Sequence, residues 1–86
     1  MKVKEISEGQ FHFFCPACRE VHTFDSTFRF NGDFKKPSVS PAILVTRLSD
    51  GERNHRCHSF ISNGKINYLK DCSHNMRGKT VDLEDF

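Results

Sequence analysis

Tryptophan is absent from this 86-residue sequence, tyrosine occurs once and methionine twice. Proline (three) and glycine (five) are too few for a low-complexity or collagen-like chain. No stretch approaches the ~20 apolar residues that a membrane-spanning helix needs. The N-terminal residues 1–8 contain no apolar run of the kind a secretory signal requires. Charge of one sign is also missing. Thirteen basic residues against 11 acidic ones leave +2, too little for a chain-wide affinity for phosphate. There is no internal repeat, no sustained helical period and no glycine-rich phosphate loop. No Ser-His-Asp order and no nucleophile-elbow motif appears either.

The apolar content that is present lies in short, strand-like pieces. Nine phenylalanines and no tryptophan predict a phenylalanine-based core. Phe11–Phe14, Val21–Phe24 and Thr27–Phe30 read as strands, the last ending at the turn signal Asn31-Gly32. Residues 37–41, bounded by two prolines, should be extended. Ala42–Thr46 is a β-branched run and reads as a buried strand. Arg56–Ser62 and Lys65–Lys70 flank Asn63-Gly64, the strongest short-range signal for a type I′ hairpin. Ser73–Lys79 reads as a loose turn and Thr80–Leu83 as a last short strand. The expectation is one domain over residues 1–86, mainly β, with a small α+β fold as the variant.

Four cysteines supply what a chain of this size needs, because a short domain has a thin core and commonly adds a disulfide, a metal or a partner. Without a secretory signal the expected compartment is a reducing cytoplasm, where paired cysteines are metal ligands or redox groups rather than disulfides. Cys15-Pro16-Ala17-Cys18 is a Cys-x-x-Cys pair between two strands. Nothing helical follows it, which disfavours a redox dithiol and favours a tetrahedral Zn²⁺ site. A two-residue turn at Asn63-Gly64 pairs Ser62 with Lys65, Phe60 with Asn67, His58 with Leu69 and Cys57 with Lys70. That register sets Cys57 and Cys72 on one face as diagonal neighbours, suited to converge on the same ion. The predicted ligand set is Cys15, Cys18, Cys57 and Cys72, with His74 or His58 as the variant ligand. The fold would then be a zinc-stabilised domain with hairpins in the manner of a zinc ribbon.

The register places His58 on the face opposite Cys57, with Asp71 diagonal to it. His–Asp pairs orient proton-transfer groups, and also occur as plain surface pairs. His22, on the strand leaving the knuckle, can approach the metal or face a cleft. His22, His58 and Asp71 are therefore the catalytic candidates. Convergence of His22, His58 and His74 would make an open three-histidine zinc site.

Phe14-Cys15-Pro16-x-Cys18, His22, Phe30-Asn31-Gly32-Asp33, Pro37-Ser38-x-Ser40-Pro41, Cys57-His58-Ser59-Phe60, Gly64-Lys65-Ile66, Asp71-Cys72-x-His74 and Gly78–Leu83 together resemble a family of small phage and prophage proteins of unknown function. Some members of that family carry an "ammonia monooxygenase" label. The resemblance covers residues 11–86 and implies phage origin and metal binding. It implies no reaction. Two positions depart from the family pattern: Arg19 stands where a glycine usually follows the second knuckle cysteine, and Glu84 where the tail usually has proline. Arg19 implies a strained backbone at the knuckle, or another geometry.

The first functional expectation is a non-enzymatic, zinc-stabilised binding module of phage origin, acting on a host or phage macromolecule, expected to be a protein, with counter-defence as one use. A zinc-dependent hydrolase or nuclease built on His22, His58, Asp71 and His74 is the alternative. A third reading binds nucleic acid and needs Lys35, Lys36, Arg53, Arg56 and Lys70 on one face.

Overall fold

The computed structural model describes the backbone of residues 1–49 and 52–85 and the side chains of residues 1–46 and 56–85. The described residues form strands and turns with no helix, so the α+β variant does not arise. Strands β1 (Val3–Ser7), β2 (Gln10–Cys15) and β3 (Glu20–Asp25) make one antiparallel sheet. Strands β4 (Arg29–Phe30), β5 (Val39–Ser49), β6 (Glu52–Ser62), β7 (Lys65–Tyr68) and β8 (Thr80–Asp82) make a second, in sequence order. Both are meanders, the arrangement that short connections between antiparallel strands favour.

Alternation decides what faces inward. Val3, Phe13 and Phe24 from the first sheet meet Val39, Ile43, Ile61, Ile66 and Tyr68 from the second, all buried. Phenylalanine rings join the sheets at one end. Phe11 stacks on Phe24 at 5.0 Å and meets Phe30 edge-on at 5.1 Å, and Phe30 meets Phe34 at 5.3 Å. The expected phenylalanine core is thus present, with Phe60 left outside at 37% exposure.

The hairpin forms as its turn chemistry requires. Asn63 (φ 51°) and Gly64 (φ 80°) both take positive φ, and Ser62 pairs with Lys65 and Phe60 with Asn67. The ladder then stops short of the expected register. Leu69 still donates to the His58 carbonyl at 2.8 Å, but Cys57 and Lys70 do not pair, because the chain turns away over residues 70–78. Ala42–Thr46 lies in β5 but is not buried on both sides. Ile43 is buried while Leu44 is 53% exposed, since only one layer of protein covers that sheet. Arg53 and His55 have side chains outside the described residues, so the expected five-residue basic face is not described as a whole.

Candidate functional site

The Cys-x-x-Cys knuckle is the turn joining β2 to β3. Arg19 donates its backbone N–H to the Cys15 carbonyl at 2.8 Å, and the Cys18 N–H points at the Cys15 sulfur at 3.4 Å. Arg19 takes φ 57°, the left-handed conformation for which glycine is best suited. The strained backbone that its departure from the family pattern implies is therefore present. Its side chain gains contacts in exchange, over the Phe14 ring at 5.4 Å and near the Glu84 carboxylate at 3.5 Å.

Alternation along β3 turns His22 inward to the knuckle, and alternation along β6 brings Cys57 to it from the other sheet. The donor atoms of Cys15, Cys18, His22 and Cys57 all lie within 4.8 Å of one another. Cys15 and Cys57 are 3.9 Å apart at sulfur, close to the ~3.8 Å separation that two thiolates adopt on one tetrahedral ion. Three further features fit a cation. The His22 Nε2 is buried without a hydrogen-bond partner. The His22 Nδ1 lies 3.9 Å from the Glu20 carboxylate, in the sense of a carboxylate behind a ligating imidazole. The sulfurs also compete for a single negative charge. Cys15 is held down to about 3, first by the hydrogen bond from Cys57 and also by that from Tyr68. Cys18 is pushed up to about 12 by burial and by the charge on Cys15, and Cys57 is pushed up chiefly by its hydrogen bond to Cys15. A cation among them removes that competition. This Cys3His cluster can hold a metal ion.

Cys72 and His74 stand beside this cluster and share only Cys57 with it. Cys57, Cys72 and His74 form a second group within 4.8 Å. His74 Nδ1 accepts the Met76 N–H at 3.2 Å, which places the ring hydrogen on Nε2, and Nε2 lies 3.4 Å from the Cys57 sulfur. His74 is thus arranged as an N–H donor to that sulfur. The Cys72 sulfur meets the His58 backbone, its N–H and its carbonyl each at 3.2 Å. The expected set of Cys15, Cys18, Cys57 and Cys72 differs from these groups at one position: the Cys72 sulfur lies in the second, and His22 lies with Cys15, Cys18 and Cys57.

On the opposite face of β6, the predicted diagonal between His58 and Asp71 is a hydrogen-bonded pair. His58 Nδ1 lies 3.1 and 3.2 Å from the two carboxylate oxygens. Arg56 reaches the same carboxylate at 3.3 Å. Asp71 is held below the usual carboxylate range, first by the His58 hydrogen bond and then by its charge and by Arg56. With Nδ1 engaged on the Asp71 side, the His58 Nε2 is directed away from it. His22, His58 and His74 do not converge: the first and last serve the sulfurs and His58 stands outside.

Ser40 lies on this outer side, and reading the residues in order did not single it out. Between the pairs Val39–Ile61 and Ile43–Ser59, Ser40, Pro41 and Ala42 on β5 oppose Phe60 alone on β6. This bulge pushes an exposed serine out beside Phe60, two residues along β6 from His58 and on its face. Ser40, Arg29 and Phe60 line a shallow cleft of about 420 Å³. Ser40, His58 and Asp71 do occur in the order Ser-His-Asp. The expectation that no such order appears is thereby corrected: Ser40 stands within the Pro37-Ser38-x-Ser40-Pro41 motif, and only the β5–β6 register relates it to His58.

No curated protein and no solved structure matches the chain. Among the described residues no helix is long and apolar enough to cross a membrane. The profile of one protein family matches residues 1–69, a span that takes in the knuckle, His22, Ser40, Cys57 and His58 and ends before Asp71. By that match the chain belongs to the BubE family, described as the serine protease of a bacterial ubiquitination-like system.

Proposed function

We propose that this chain is a small serine hydrolase acting on polypeptides of a ubiquitination-like system, with Ser40 as nucleophile, His58 as base and Asp71 as the carboxylate that orients it. The observation that carries this reading is the His58–Asp71 pair, 3.1 Å from Nδ1 to carboxylate, in a chain whose family is described as a serine protease. In that chemistry the serine Oγ attacks a carbonyl carbon while the imidazole Nε2 takes its proton. The same nitrogen then returns the proton to the leaving amine, and the aspartate keeps Nδ1–H in place and stabilises the imidazolium. What supports the assignment of the serine is its exposed place in the β5 bulge beside Phe60, next to an open cleft and two residues along β6 from His58.

Zinc in this reading is structural. Three thiols and an imidazole form the soft, closed, four-ligand set that such zinc sites use, with no position left for substrate. Cys15, Cys18, His22 and Cys57 would hold it, and it would tie the knuckle of the first sheet to β6 of the second. This retains the expectation of a zinc-stabilised domain and separates the metal from the hydrolase chemistry.

The test is hydrolysis of p-nitrophenyl acetate and of labelled casein by Ser40→Ala, His58→Ala and Asp71→Asn. Each substitution should lower kcat by about 10³-fold or more while leaving one zinc per chain. A Ser40→Ala protein as active as the native chain would overturn the assignment.

A further inference from the structure

Strand β6 outlasts its partner. The β7 ladder ends at Tyr68, opposite Ser59, so the edge of β6 at residues 56–58 has no strand beside it. Unpaired backbone groups next to a buried site are costly and require other partners. The carbonyls take backbone N–H groups of the turn, Ser73 onto Arg56 at 2.9 Å and Leu69 onto His58 at 2.8 Å, and two side chains serve the N–H groups. Ser73 Oγ accepts the Arg56 N–H at 2.9 Å and donates to the Arg56 carbonyl at 3.2 Å. Cys72 Sγ does the same one residue pair along, accepting the His58 N–H and donating to the His58 carbonyl, each at 3.2 Å. Each side chain thus supplies the acceptor that a neighbouring strand would give the β6 N–H, and adds a second donor to a carbonyl that a backbone N–H already meets.

We propose that Cys72 is a positioning residue for His58 and not a ligand of the metal. The Cys72 sulfur is the acceptor for the His58 N–H at 3.2 Å, which ties it to the β6 backbone. Cys72 is 5% exposed, and its sulfur does not join the group of Cys15, Cys18 and His22. The preceding residue is Asp71, whose carboxylate meets the His58 imidazole. One dipeptide therefore grips His58 twice, by its backbone through Cys72 and by its ring through Asp71. From the other side Cys57, next to His58 in sequence, is fixed in the sulfur cluster. The imidazole is consequently held between the metal-binding face and the 71–72 turn.

The part of this inference that concerns catalysis rests on the proposed hydrolase reading; the part that concerns ligation does not. Its test compares Cys72→Ala with Cys72→Ser, whose hydroxyl can both accept the N–H and donate to the carbonyl. Three quantities are read: zinc per chain by native mass spectrometry, amide exchange at His58, and hydrolysis of p-nitrophenyl acetate. Both variants should carry the same single zinc as the native chain. In Cys72→Ala the His58 amide should exchange about 3–10-fold faster and kcat should fall, and Cys72→Ser should restore both. Loss of zinc from Cys72→Ser would show Cys72 to be a ligand and overturn the proposal, and that readout decides even if the alanine variant does not fold. Unchanged His58 exchange in a folded Cys72→Ala would also overturn it. If the native chain hydrolyses nothing, the hydrolase reading fails while zinc content and exchange still decide the role of Cys72.

Discussion

Three sulfurs within reach of one another cannot all carry charge, and the Cys15, Cys18 and Cys57 thiols divide accordingly into one held low and two pushed up. Adding His22, with a buried ring nitrogen lacking a partner, completes a set that a cation stabilises. His22→Ala should therefore weaken zinc binding by more than about 100-fold, beyond the 10–100-fold that loss of a mere supporting partner costs. Competition with a chromophoric chelator measures it, and unchanged affinity would contradict the ligand set. On the other face, Asp71 is held below its ordinary value by His58 and Arg56. A depressed carboxylate contributes stability that is present above the unfolded value of about 3.9 and is lost as pH falls through the folded one. The Asp71 carboxyl ¹³C resonance should accordingly titrate below about 3.9, and in His58→Ala its midpoint should rise. A native midpoint at or above that of an unfolded peptide would contradict the pairing. The sequence made the Cys15–Cys18 pair and the His58–Asp71 diagonal legible, because each depends on spacing within one turn or one hairpin. His22 and Ser40 depend on how β3 and β5 face other strands, which spacing does not encode.

The Asn63-Gly64 hairpin is the element on which both faces of β6 depend. Gly64 combines φ 80° with close surroundings: a Cβ there would lie 3.4 Å from the Lys36 backbone. Its N–H donates to the Pro37 carbonyl at 2.8 Å, and its carbonyl accepts from Leu83 at 3.0 Å, so the turn cannot move aside. Gly64→Ala should cost about 1–2 kcal/mol, read as a lower urea midpoint with an unchanged m-value. A midpoint unaltered by the substitution would show that the turn is not held as described. Turn chemistry and alternation were enough to read β2, β3 and the β6–β7 hairpin from the residues alone. They failed for β1, which carries only Val3 and Ile6 as apolar residues and is held by pairing with β2 rather than by its own pattern. They also failed beyond Leu69, where Cys72 and Ser73 take the place of a strand, an arrangement without a periodic signature.

At the scale of the molecule, a metal held by the Cys3His cluster would join the two sheets by chemistry rather than by packing alone. Cys15, Cys18 and His22 come from the first sheet and its turn, and Cys57 from the second. A structural zinc contributes about 10–16 kcal/mol, comparable with the whole net stability of a small protein. Chelation should thus unfold the chain. A thermal midpoint that stayed the same with zinc confirmed absent would contradict a structural role. Fold class was legible in the sequence because every strand signal was short and no helical period competed. The proposed pairing of a buried metal cluster with an outer serine site was not, since the two would meet only across the thickness of β6. The most direct measurement is intact-mass analysis and peptide mapping after reaction with a fluorophosphonate, which modifies activated serines. One adduct on Ser40, absent from His58→Ala and from the chelated protein, is the predicted result. No adduct on the zinc-loaded chain, or an adduct on a different serine, would contradict it.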